Sequence, residues 1–159
     1  MPQTLLALLA LVLASLFAYN TQQRSAASAR VLQRSEIEVI MAGVAEGTFD
    51  VLADVPFDGV TTATQASELT APGSFGGRTW ATAIDLDDYD GTSTTVTPTV
   101  GSSSISVTMA VEVDYVVKSG TVYVVSPSTR QLFKRVTLTF TGPLGTQATL
   151  ERLYALDGL

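Results

Sequence analysis

Thr4-Leu-Leu-Ala-Leu-Leu-Ala-Leu-Val-Leu-Ala-Ser-Leu-Phe-Ala-Tyr19 decides the fold. The run carries no charge, no Gly and no Pro. Leu and Ala are strong helix formers, so it reads as a helix. At ~1.5 Å per residue it reaches ~24 Å, a little short of a ~30 Å hydrocarbon core. It is apolar all round and cannot face water. Three settings satisfy it: lipid, a protein core, or removal as a signal. Met-Pro-Gln lacks the basic flank of a secretory signal, although Ala-Ser-Leu-Phe-Ala could pass as a cleavage site. The missing flank leads to the expectation that a leader has already been cut away.

Asn20–Arg34, which follows this run, is rich in Gln, Ser, Ala and Arg and continues the helix. Arg24, Arg30 and Arg34 precede the first acid, Glu36. For a single-span anchor the positive-inside rule places this side in the cytoplasm. The Ser/Thr-rich, cysteine-free remainder points outside the cell instead. Ile37, Ile40, Met41, Val44, Val51, Leu52 and Val55 then recur at helical spacing as one apolar face. Pro56 stops the helix at Val55. The expectation is one helix over about residues 2–55, several times the usual length.

Residues 56–103 are loop-rich, with turn signals at Pro72-Gly73, Gly76-Gly77, Asp90-Gly91 and Gly101-Ser102, and room for a short strand or two. From Ser104 the period becomes two: Ile105, Val107, Met109, Val111, Val113 and Tyr115 alternate with polar residues. Ser119-Gly120 turns the chain into a strand at 121–126. Gln131–Thr141 is a third, with Leu132, Lys134, Val136, Leu138 and Phe140 on one face, and 146–155 a fourth. The fold class is α+β: one long N-terminal helix with its second half packed on an antiparallel meander of about four strands over 104–156. Two regions follow, a protruding apolar helix half at 1–30 and a headpiece at 31–159.

Composition narrows function. Charged residues are 15% of the 159 and net charge is −6, so no basic field exists for nucleic acid. Without Cys or His there are no disulfides, thiol nucleophiles or Ser-His-Asp triads. No enzyme, cofactor or nucleic-acid partner is expected.

Candidate sites each have a plain alternative. Asp85, Asp87, Asp88 and Asp90 offer oxygen ligands for calcium. Tyr89 breaks the EF-hand spacing, and a solvated turn explains the same residues. Asp85 with Asp87, or Glu112 with Asp114, could pair as acid and base, but both read as water-facing strand surface. Gly43 and Gly47 suit a neighbouring helix, or tight packing on the protein's own sheet, which is the preferred reading. Thr92–Ser106 could carry O-glycans or be an exposed strand edge.

The chain resembles type IV pilins and the pseudopilins of type II secretion. Phe17-Ala18-Tyr19 with Gln23-Arg24-Ser25 is similar to the family's end of the apolar helix. Val51-Leu52-Ala53-Asp54-Val55-Pro56-Phe57-Asp58 resembles the helix ending of minor members. Lys134-Arg135-Val136-Thr137-Leu138-Thr139-Phe140 with Gly142-Pro143-Leu144-Gly145 resembles their C-terminal strand and turn, and Asp87-Asp88-Tyr89-Asp90-Gly91 one of their loops. The resemblance implies a structural subunit. It would wait in the bacterial inner membrane, meet the assembly machinery, and pack with copies of itself into an extracellular helical filament. The implied core residues are Leu5, Leu6, Leu8, Leu9, Leu11, Val12, Leu13, Leu16, Phe17 and Tyr19. Met1 is the implied site of N-terminal processing and methylation. Two departures stand out: Leu5 replaces the family's register-setting Glu, and Pro2 replaces Thr or Ser. The alternative is a monomeric, single-pass membrane-anchored binding module, or a tip pseudopilin.

Overall fold

The computed structural model describes residues 2–60, 62–100 and 103–156. Met1 and the Gly101-Ser102 turn lie outside the described residues, as does the side chain of Leu5. Helix α1 runs Pro2–Ala53 without interruption, 52 residues. It ends two residues before the expected Val55. Asp54 and Val55 donate instead to the carbonyls of Val51 and Leu52 in a tightened last turn, and Pro56 has no N–H with which to go on.

The strands are β1 (Ser93–Val96), β2 (Thr99–Val100), β3 (Ser103–Ser104), β4 (Val107–Ser119), β5 (Val122–Val125), β6 (Phe133–Thr141) and β7 (Gln147–Ala155). Five of them form one antiparallel sheet in the order β1-β4-β6-β7, with β5 also on β4; β2 and β3 pair separately. The expected meander is therefore corrected. β5 pairs with the end of β4, Ser119 facing Val122, and β6 pairs with β4 rather than with β5. Gly120, at φ 64°, and Thr121 form the turn, one residue later than expected.

Hydrogen bonding explains the detour. Val111 and Val113 turn their backbone groups toward residues 90–92, and the Tyr115 carbonyl accepts from the Ser126 N–H. These residues have one parity, so β1, the 90–92 segment and β5 share one edge of β4, leaving the other to β6. β4 is long enough, at 13 residues, to hold all of them.

The core lies between the sheet and the second half of α1. Val107, Met109, Val111, Val113 and Tyr115 of β4 are buried, with Val136, Leu138 and Phe140 beside them. From the helix come Met41, Ala45, Phe49 and Leu52. The apolar face is thus rotated from the expected stripe. Phe49 and Ala45 are core, whereas Val51 is exposed. Arg152 on β7 clamps the helix, 2.6 Å from Glu46 and 3.2 Å from Asp50, with its guanidinium over the Phe49 ring. The Tyr154 hydroxyl donates to the Phe49 carbonyl at 3.0 Å.

Candidate assembly helix and a buried charge cluster

The first functional candidate is the apolar part of α1. Leu6, Leu8, Leu9, Leu11, Val12, Leu13, Leu16, Phe17 and Tyr19 are all exposed; Leu11 is 67% and Phe17 74% accessible. A monomeric surface rarely exposes so continuous an apolar patch without a partner. The few polar groups in this stretch turn back on the helix. Ser15 Oγ donates to the Leu11 carbonyl at 2.7 Å, Thr21 Oγ1 to Phe17 at 2.9 Å, and Gln23 Nε2 to the Tyr19 hydroxyl at 2.7 Å. Back-bonded hydroxyls suit a helix that leaves water, because few polar groups then lack partners. By length and composition this helix is able to cross a membrane.

The second candidate lies in the headpiece. Lys134 falls in the apolar phase of β6 and is completely buried. Its Nζ lies 2.5 Å from Asp87 Oδ1 and 3.5 Å from Asp58 Oδ2, and donates to the Phe57 carbonyl at 2.5 Å. Three rings surround it: Phe57 at 4.2 Å, Tyr115 at 5.1 Å and Phe75 at 5.5 Å from their centroids.

Local chain chemistry sets the two acids. Asp58 follows the helix end and accepts from the Val60 and Thr70 backbone N–H groups and from the Thr70 hydroxyl, fastening one loop to another. Asp87 opens a short 3₁₀ turn, Asp87–Tyr89, whose Tyr89 packs edge-on against Trp80. The Gly76 N–H donates to the Asp87 carbonyl. Gly76 has φ 76°, and a Cβ there would lie 2.7 Å from the Asp90 carbonyl, so the position demands glycine.

The environments drive the carboxyls apart. Burial pushes Asp87 up to about 7, against the pull of Lys134 and with added repulsion from Asp58. Burial also pushes Asp58 up, but the Thr70 and Val60 N–H groups and Lys134 outweigh it and hold it below its ordinary value. Burial, then the two acids, raise the Tyr115 phenol, which donates to the Thr70 carbonyl at 2.9 Å.

This overturns the solvated-turn reading of the acidic loop, since Asp85 and Asp87 are buried. They also sit in a loop, not on a strand face. The four carboxylates do not converge. Asp85 accepts from the Asp88 N–H, Asp88 accepts from Ile84 and pairs with Arg78 at 3.0 Å, and Asp90 accepts from the Val113 N–H. Asp90 thereby replaces a strand partner for β4. Among the described residues no three His, Cys, Asp or Glu side chains gather to hold a metal ion. Glu112 is exposed on the outer sheet face, and Asp114 pairs there with Arg135 at 3.5 Å.

Gly43 and Gly47 are exposed, and a Cβ on either would meet nothing within 4 Å. Packing on the protein's own sheet is therefore not their role. Sequence reasoning did not single out the Lys134 cluster, although a lysine among Leu132, Val136, Leu138 and Phe140 was the signal for it. No family model, curated protein or solved structure matches the chain.

Proposed function

We propose that this chain is the structural subunit of a type IV pilus-like extracellular filament. In this reading the apolar helix holds the subunit in the bacterial inner membrane. Assembly machinery then withdraws it, and copies stack with their helices as the filament core. The observation that carries the reading is the exposed, charge-free, back-bonded helix run Leu6–Tyr19, continuous with a helix that packs on an antiparallel sheet. Such a rod is satisfied equally by lipid and by other rods, so it can exchange one for the other. Subunits related head to tail by a rotation that does not close form open helical filaments. Nothing in this role needs a catalytic residue, and the sheet supplies the water-facing surface.

Electron microscopy of the full chain after detergent removal tests the proposal. Uniform thin filaments are the expected result. Dispersed particles that stay detergent-dependent would refute it and favour a membrane-anchored monomer displaying its β domain.

A further inference from the structure

We infer that Lys134 and Asp87 condense to a side-chain amide, with Asp58 as the proton acceptor, so that β6 is covalently joined to the 87–89 turn. The inference concerns the headpiece alone and does not depend on filament formation.

Geometry is the first argument. Nζ lies 2.5 Å from Asp87 Oδ1. With a C–O bond of ~1.2 Å, Cγ is at most ~3.7 Å from the amine, close to the ~3–3.5 Å of a near-attack arrangement. Neither Asp87 oxygen has a hydrogen-bond partner among the described residues, although both are buried. A stable ion pair normally satisfies its oxygens, and orphaned buried oxygens are costly. An amide removes one of these two oxygens as water. It replaces two charges with one neutral group and keeps one N–H, for which the Phe57 carbonyl is already in place.

The chemistry balances without an oxidant or co-reactant. Asp58 takes one proton from the Lys134 ammonium, 3.5 Å away. The free amine attacks Cγ of Asp87 in its acid form, the form that burial favours. A second amine proton leaves with the Asp87 hydroxyl as water, so a C–N bond forms and a C–O bond breaks. Asp58 ends protonated, the amide keeps one hydrogen, and the net charge of the three groups is unchanged. The rings of Phe57, Phe75 and Tyr115 hold water away from the product and so oppose hydrolysis.

Peptide mass spectrometry of the trypsin-digested full chain tests the inference. Trypsin does not cut at an acylated lysine, so the linked form yields Thr79–Lys118 joined to Gln131–Arg135, lighter than the two peptides by one water. Lys134→Ala and Asp87→Ala should each abolish the linked species. Asp58→Asn should abolish or greatly reduce it in protein whose circular dichroism is unchanged. Wild-type protein that is cleaved after Lys134 and gives no linked peptide overturns the proposal without recourse to any variant. Water loss confined to a single peptide, as a succinimide at Asp58-Gly59 or Asp90-Gly91 would give, also overturns it. Full linkage in a folded Asp58→Asn chain overturns the role of Asp58.

Discussion

The apolar end of the helix and the interior of the headpiece treat charge in opposite ways. From Leu6 to Tyr19 the helix has no charged residue and turns its apolar side chains outward. The headpiece is richer in polar residues, yet it places a lysine and two aspartates in its centre. A surface made for lipid or for identical neighbours gains by lacking charge, because any partner would have to be supplied by another molecule. A folded core can hold charge, because the chain itself can bring partners within 4 Å. Each region should therefore fail when treated by the other's rule.

The largest effect is expected from putting a charge into the helix. Leu9→Asp or Leu13→Asp costs about 2.5–3.5 kcal/mol in an apolar surrounding, on the scale of membrane insertion. Repeated in every subunit, this should abolish filaments, while thermal unfolding of the headpiece stays as in wild type. Normal filament yield from both variants would refute the core assignment.

The converse change removes the charge that the headpiece requires. Measured against wild-type chain in which the Lys134–Asp87 amide has not formed, Lys134→Met leaves two buried carboxyls without a cation, at a cost of about 3–5 kcal/mol. Urea unfolding at neutral pH should show it. The pH dependence follows with a definite sign. Asp87, already raised to about 7 by burial while Lys134 pulls it down, rises further once Lys134 is gone. Its folded value then exceeds its unfolded one, ~3.9. Such an acid favours the folded state at low pH and loses that contribution as pH rises above ~4. Wild type shares this loss up to about 7, where its own Asp87 ionises, so the deficit of Lys134→Met should stay nearly constant from pH 4 to pH 7 and grow above it. A deficit that does not grow above pH 7 would mean that Asp87 is not the cause.

Arg152→Ala probes the join between helix and sheet within the headpiece. The Glu46 and Asp50 carboxylates are largely exposed, so each pair is worth well under ~1 kcal/mol. Contact with the Phe49 ring adds ~0.5–1 kcal/mol. A total loss near 1 kcal/mol is expected from denaturant midpoints. A loss above ~3 kcal/mol would make the clamp a principal support rather than a trim.

How far these rules could be read from sequence depended on range. The charge-free run and the alternation along β4 and β6 are local patterns; the helix stands where its pattern put it, and β4 and β6 start slightly later than expected, at Val107 rather than Ser104 and at Phe133 rather than Gln131. The phase of the helix stripe was harder. Val51 fits an apolar spacing as well as Phe49 does, and only the sheet selects Phe49. The placement of β5 required knowing that residues 90–92 fill the edge of β4 between β1 and Ser126. Asp58 and Asp87 lie far from Lys134 in the chain, so their convergence is a property of the fold. The only local sign was a lysine in the apolar phase of a strand.

Gly43 and Gly47 give the smallest and most discriminating change. They lie one turn apart on an exposed helix face that also carries Val39 and Val51. Because an added Cβ meets nothing within the subunit, Gly43→Ala and Gly47→Ala should each stabilise the isolated subunit by ~0.5–1 kcal/mol through helix propensity. An alanine that raised the unfolding midpoint and also lowered filament yield would place a neighbouring helix against this face, since the methyl can clash only with another subunit. A gain in stability with filament yield unchanged would leave the face to water and confine close helix packing to the charge-free run.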